Sequence, residues 1–295
     1  MPLLRPTRRT LLTGGFLGGF SVLAIPRAAA AAAVAAPGRR IVSVGGAITE
    51  ILYRLGVQDE VVGVDTTSLF PSEALATKPS VGYVRALGAE GVLSLQPTLV
   101  LAVEGAGPPD VLKILEGAGL PLVRVPDDPS PAGISAKIAA VAGALGDASR
   151  GDALIREVEA GFARLAAERG SLDRPARALF VLSLQNGRPL VGGRGTSADA
   201  ILALAGAVNA ASALEGWKPL SDEGVIAAAP EAVVMMAHGP GGPADPFALP
   251  SFTATPAARE HRLVVMDGLY LLGFGPRTPL AAHDLMQALR PAAKP

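Results

Sequence analysis

The chain has no cysteine. That excludes a disulfide framework, thiol chemistry, a cysteine-held metal and a lipid-anchored amino-terminal cysteine. Its inventory for other chemistry is thin: three His, one Trp and three Tyr among 295 residues. No HExxH, no GxSxG and no phosphate-binding Gly-Lys-Ser/Thr loop occurs, so the common zinc-protease, serine-hydrolase and nucleotide-hydrolase signatures are absent. Past the first 36 residues there is no apolar run long enough to span a bilayer.

What is present begins with a leader. Thr7-Arg8-Arg9-Thr10-Leu11-Leu12 is a twin-arginine pattern, followed by an apolar, Gly-rich stretch at 11–25, then Pro26-Arg27 and an alanine run. Residues 1–36 read as a signal peptide cleaved on export, since the apolar stretch is too short and too Gly-rich for an anchor. The mature chain is expected to be soluble in a bacterial periplasm. The formal charge of zero belongs to the precursor. Removing Arg5, Arg8, Arg9 and Arg27 from 26 basic residues leaves 22 against 26 acidic, a net of −4. A net-acidic chain is a poor partner for nucleic acid or anionic membrane.

One segment occurs twice. Glu90-Gly91-Val92-Leu93-Ser94-Leu95-Gln96-Pro97-Thr98-Leu99-Val100 returns without a gap as Glu223-Gly224-Val225-Ile226-Ala227-Ala228-Ala229-Pro230-Glu231-Ala232-Val233. Each copy reads as a short helix, a Pro that stops it, and a buried strand. A second echo joins 48–56 (ITEILYRLG) to 198–206 (ADAILALAG), each after a Gly-containing loop. The spacing is too long for a solenoid, so it means two similar lobes. A cleft between lobes is a favoured ligand site.

The spacing predicts strands at 40–45, 61–64, 98–103 and 121–125 with helices at 48–55, 88–95, 110–117 and 134–145. That is an α/β lobe at 37–146 with a mainly parallel sheet. Residues 147–170 form one long amphipathic helix, with Leu154, Ile155, Val158, Phe162 and Leu165 as its stripe. The second lobe, 171–295, repeats the logic: strands at 178–184, 232–236 and 263–266, helices at 196–204 and 280–289. In Gly192-Gly193-Arg194-Gly195-Thr196-Ser197 the glycines do not match a dinucleotide loop. Thr196 with Asp199 instead fits a capping box.

Gly82-Tyr83-Val84-Arg85 is the sharpest chemical item. Arg85 lies on the same side as Tyr83 if the segment is extended. A phenol is normally protonated, with a reference pKa near 10. A ferric ion and a neighbouring guanidinium together favour the phenolate, and Tyr is a known haem-iron ligand type. A Tyr beside a Gly is also a common packing residue, and the residues alone leave both readings open.

The surrounding residues carry a resemblance. Val81-Gly82-Tyr83-Val84-Arg85-Ala86-Leu87 running into Ala89-Glu90-Gly91 resembles the haem-binding segment of bacterial periplasmic haem ABC-transporter binding proteins, the helical-backbone (class III) type. Val42 to Glu50 in the sequence VSVGGAITE, Lys218-Pro219-Leu220-Ser221 and Leu272-Gly273-Phe274-Gly275-Pro276-Arg277-Thr278-Pro279 resemble other parts of that family. The resemblance runs through nearly all of 38–295. It implies two Rossmann-like lobes joined by one rigid helix, with the ligand between them.

It also implies roles. Tyr83 is the iron ligand and Arg85 its supporting cation. Gly45, Gly46 and Arg277 belong to the haem cleft. Glu90 and Glu223, one per lobe, dock on the permease dimer of the inner membrane. Haem is cargo, handed on by a monomeric carrier that is no catalyst, with an outer-membrane haem uptake system upstream. The strand reading Leu182-Ser183-Leu184-Gln185 departs from relatives that carry a His there, so His238 is a candidate second axial ligand or a loop hydrogen-bonder. His261 and His283 read as structural or exposed. Cobalamin or ferric-siderophore carriage remains an alternative within the fold, and an exported α/β oxidoreductase an alternative outside it.

Overall fold

The computed structural model describes residues 38–185, 187–237 and 244–290. The leader and His238 lie outside them. The first lobe runs β1 (Ile41–Val44), α1 (Gly46–Arg54), β2 (Val61–Val64), α2 (Ser72–Thr77), β3 (Gly82–Tyr83), β4 (Ala86–Leu87), α3 (Ala89–Ser94), β5 (Leu99–Val103), α4 (Pro109–Gly117), β6 (Leu122–Val125) and α5 (Pro131–Leu145). Its sheet is wholly parallel, in the order β2-β1-β5-β6. β1 is buried along its whole length, as a central parallel strand covered by helices on both faces must be. The two short strands β3 and β4 form a separate antiparallel hairpin.

α6 (Ala148–Arg169) is the long helix. Asp147 caps its start by accepting from the Arg150 N–H. Its 22 residues span about 33 Å at 1.5 Å per residue. The second lobe then runs β7 (Arg177–Gln185), β8 (Arg188–Gly192), α7 (Ser197–Leu204), β9 (Val208–Asn209), β10 (Trp217–Pro219), α8 (Asp222–Ala228), β11 (Ala232–Ala237), α9 (Pro250–Thr253), α10 (Pro256–Arg259), β12 (Leu263–Asp267), α11 (Gly268–Leu272) and α12 (Thr278–Ala288).

The second sheet is mainly parallel, as expected, and gains an edge that was not. β7, β11 and β12 are parallel, and β9 pairs parallel with β7, but β8 and β10 add an antiparallel edge in the order β10-β8-β7-β11-β12. β8 and β10 contain Pro189 and Pro219 and read as loop in the sequence. They are tolerated because they lie toward the sheet margin, where fewer backbone donors are needed.

The repeat is real in three dimensions. α3 leads through Pro97 into β5, and α8 through Pro230 into β11. In both copies the residue before the proline has a left-handed backbone: Gln96 at φ 46° and Ala229 at φ 42°. Val92 and Val225 are the fully buried residues of the two helices. The second echo holds as well. α1 and α7 both end two residues before a left-handed glycine, Gly56 and Gly206. Thr196 caps α7 by accepting from the Asp199 N–H at 3.1 Å, while the Asp199 carboxylate reaches back to the Gly195 N–H.

Each lobe has a cluster of its own, around Val44 and Val100 in the first and Leu179 and Val233 in the second, but the largest core is shared. One cluster runs from Ile41, Ile51 and Ile134 in the first lobe, through Leu154, Val158 and Leu165 of α6, to Phe180, Ile201 and Leu285 in the second. α6 packs on α5 on one side and on α12 on the other. Each of its three buried aliphatic side chains contributes about 1.5–3 kcal/mol. Removing any of them loosens the joint between the lobes as well as the helix.

Candidate functional site

The site is built at the carboxyl ends of the strands, where open α/β sheets bind ligands. After β1 the chain turns at Gly45, whose φ of 123° is open to glycine and little else. The Gly45 N–H donates to Asp65 Oδ1 at 2.8 Å and the Gly46 N–H to Thr67 Oγ1 at 3.0 Å. Asp65 follows β2, is fully buried, and also accepts from the Thr67 N–H, the Thr67 hydroxyl and the Ser68 hydroxyl. Thr49 bridges Ser43 and Ser68 at 2.8 and 2.7 Å. This network is fully paired, as a buried polar cluster must be. It fixes the loop at 65–71 against α1. The N–H groups of Gly45 and Gly46 are therefore already committed and do not bind ligand. Gly46 serves a close approach instead: a Cβ there would stand 2.2 Å from the Thr67 carbonyl and 2.7 Å from Leu269 Cδ1.

Leu269 belongs to α11, which follows β12, and Gly46 follows β1. Their contact means that the two sheets direct their carboxyl ends toward each other. Beside that contact sits the β3–β4 hairpin. Tyr83 pairs with Ala86, and Val84-Arg85 form the two-residue turn. Tyr83 and Arg85 therefore do not share the face of one extended strand, because the chain reverses between them. The hairpin is clamped on both sides. The Thr66 N–H donates to the Gly82 carbonyl, the Gly107 N–H to that of Val84, and the Leu87 N–H to that of Gly107, each at 2.9 Å. Only Gly fits at position 82, where φ is 100° and a Cβ would press on the Ala86 carbonyl at 2.9 Å.

Tyr83 is 48% exposed, although its rigid backbone position gives it little freedom to move. Arg85 is exposed too. Among the described residues, neither the Tyr83 hydroxyl nor the Arg85 guanidinium has a hydrogen-bonding or ionic partner. Leu69 and Phe70 on the neighbouring loop are also exposed, so the rim carries apolar surface as well as a phenol and a cation.

Arg277 lies over the Phe70 ring of that rim and is already engaged. Its N–H and its Nε donate to the two oxygens of Glu50 at 3.0 and 3.1 Å. Its guanidinium lies 3.4 Å over the Phe70 ring centroid and 5.0 Å from that of Tyr270. The Arg277 expected in the haem cleft thus also fastens the second lobe to α1. Burial raises the Glu50 carboxyl above its usual range, and the Arg277 charge opposes that rise. Burial, helped by the Asp284 carboxylate that accepts from its hydroxyl at 2.9 Å, pushes the Tyr270 phenol far up. Tyr270 thus stays a neutral donor.

A second fastening was not legible as such. Lys137 of α5 is fully buried, and its ammonium donates to Asp127 at 2.7 Å and to the carbonyls of Phe274 and Gly273 at 3.0 and 3.3 Å. Three protons meet three acceptors. The one signal in sequence was a lone Lys inside an otherwise apolar helix. The Gly-Phe-Gly-Pro-Arg segment is thus held to the first lobe at both ends, by Lys137 and by Glu50.

Glu90 and Glu223 stand in the first turns of α3 and α8 and are exposed. Glu223 is held below the usual carboxylate range by hydrogen bonds from its own N–H and the Ser221 hydroxyl. His261 packs against Phe247 at 5.3 Å, and His283 pairs with Glu168 of α6 at 3.2 Å. Two cavities, of about 510 and 390 Å³, lie away from Tyr83. One is at the foot of the second lobe around Arg174, Glu231 and Arg262, and the other beside α6 around Arg54, Arg164 and His283. The larger volume does not mark the site, because an open cleft between lobes encloses little space of its own.

Known proteins agree with this architecture. A periplasmic heme-binding protein of Roseiflexus sp. RS-1, solved without ligand, is 41% identical over 86% of this chain and 98% of its own, with a TM-score of 0.82. A periplasmic heme-binding protein of Pseudomonas aeruginosa is 37% identical over 88% of this chain and 95% of its own, with a TM-score of 0.79. An uncharacterised ABC transporter substrate-binding lipoprotein of Bacillus subtilis is 26% identical over 86% of this chain and 80% of its own. A vitamin B12-binding protein of Vibrio campbellii matches at 33% over a shorter stretch, 29% of this chain and 31% of its own. The profile of the periplasmic binding protein family covers residues 41–269. With two lobes, one connecting helix and facing sheet ends, the chain belongs to the periplasmic binding protein family.

Proposed function

We propose that this protein captures haem in the cleft between its lobes and delivers it to an ABC importer of the inner membrane. The observation that carries this is the hairpin. A phenol and a guanidinium two residues apart are both exposed and unpartnered on a backbone clamped to the carboxyl edge of the first sheet. The Tyr83 oxygen is the axial ligand to the ferric iron. Arg85 favours its ionised form and offsets the negative propionates. Leu69 and Phe70 supply apolar surface for the macrocycle. The heme-binding proteins of the same build support the reading.

The chain acts as a carrier, with no step of bond making. Residues 1–36 direct export through the twin-arginine route and are then removed. The protein works as a monomer, fed by an outer-membrane haem uptake system. Glu90 and Glu223 meet basic groups on the two subunits of the permease. His238 remains a candidate second axial ligand. The short matches to vitamin B12-binding proteins favour cobalamin as the second reading, but a corrinoid or a siderophore brings its own ligands and has no use for a phenolate.

A visible titration decides between them. Hemin added to purified mature protein should give a saturable spectrum with a phenolate-to-iron charge-transfer band. Saturable binding of cyanocobalamin with no response to hemin would overturn the haem reading.

A further inference from the structure

The two copies of the repeat hold one more matched feature. Each contains one exposed large apolar side chain, and it falls at the same position: Leu93, 37% exposed, and Ile226, 51% exposed. Each lies three residues after its glutamate, so Glu90 and Leu93 share one face of α3 and Glu223 and Ile226 share one face of α8. The opposite face of each helix is anchored by a fully buried valine, Val92 and Val225. The buried anchor fixes each helix so that a carboxylate and an aliphatic group point outward together.

We infer that Leu93 and Ile226 are apolar anchors for the permease, seated beside Glu90 and Glu223. The inference rests on the docking role proposed above for the two glutamates and specifies what completes each contact. The occupant is a two-fold membrane protein that presents on each subunit a basic group next to an apolar pocket. The internal repeat argues for the two-fold partner, because equal patches on pseudo-equivalent lobes suit equal subunits. The acidic neighbours argue for a basic partner. An exposed carboxylate steers encounter and register, whereas an aliphatic group driven into a pocket slows departure. The two residue types at each position therefore divide the work between arrival and retention.

The test uses hemin-loaded mature protein and its importer reconstituted in nanodiscs, with association and dissociation rates followed at two salt concentrations. Leu93→Ser with Ile226→Ser keeps every charge and removes only exposed apolar surface. It should weaken binding about tenfold or more, almost wholly through faster dissociation. The association rate and its salt dependence should stay as in wild type, and the hemin spectrum should be unchanged. Glu90→Lys with Glu223→Lys is run beside it. If the charge reversal abolishes binding and the serine variant dissociates like wild type, the anchors are wrong and the glutamate docking stands. If neither variant alters binding, the docking surface itself is wrong. A loss confined to the association rate would also overturn the anchoring role.

Discussion

Glu50 and Arg277 are 227 residues apart in the chain and meet between the lobes through one ion pair and one backbone hydrogen bond. The Glu50 side chain is 3% exposed, that of Arg277 21%. A pair so placed is informative through what happens when half of it is removed.

Arg277→Ala should destabilise the protein by about 3 kcal/mol, because it leaves a carboxylate buried without its charge partner. Adding Glu50→Gln should recover part of that loss, since nothing charged then remains buried. Urea unfolding of the four proteins in the cycle measures both effects. Additive losses would mean that the pair has no coupling.

The same carboxylate sets a pH dependence. Burial raises Glu50 above its usual value of 4.5, with Arg277 working against the rise. The folded chain therefore holds the Glu50 proton more tightly than the unfolded chain does. Its stabilising contribution is complete below pH 4.5 and is lost as pH rises through the higher folded value. The stability of wild type minus that of Glu50→Gln should fall across that window, read as urea midpoints at successive pH. A flat difference would show that Glu50 titrates alike in both states.

Tyr83→Ala should remove the charge-transfer band and weaken hemin binding severely. Arg85→Ala should keep the band and weaken binding about tenfold, in line with a charge-assisted contact of about 1.5–3 kcal/mol. A Tyr83 variant that matches wild type in spectrum and affinity would remove the ligand assignment. An Arg85 variant with unchanged affinity would leave that residue outside the site.

Loading should change the overall dimensions little. α6 joins both lobes through one core, and Lys137 and Glu50 fasten the Gly-Phe-Gly-Pro-Arg segment to the first lobe. Hinge closure would have to break these contacts. Small-angle scattering with and without hemin should give nearly the same radius of gyration, and a large contraction would contradict the shared core.

Glu90→Lys with Glu223→Lys should leave the hemin titration intact and abolish hemin-dependent stimulation of the importer's ATPase. Full stimulation by this variant would make both residues ordinary solvated helix positions.

Much of this was readable in the residues. Apolar runs such as Leu99–Val103 and Ala232–Ala237 announced buried parallel strands, and the stripe through Leu154, Val158 and Leu165 announced the connecting helix. The repeat announced two lobes. β8 and β10 were hidden because Pro and Gly inside short strands look like loop. The hairpin was hidden because its reversal depends on the left-handed Gly82 and on three backbone bonds from distant loops. The pairing of Arg277 with Glu50 was invisible because an ion pair with a residue in another lobe leaves no local trace. The commitment of the Gly45 and Gly46 donors to Asp65 and Thr67 was invisible for the same reason.

The continuous core has a consequence for how such a carrier can diversify. The sheet faces turned toward α6 belong to this shared core, so a loosening substitution there is felt in both lobes. The tolerant positions are the hairpin tip, Tyr83 to Ala86, and the exposed end of the loop at 65–71. These carry the chemistry and contribute little to the frame. A new cargo can be acquired by rewriting a handful of rim residues, while the scaffold that aims them is inherited whole.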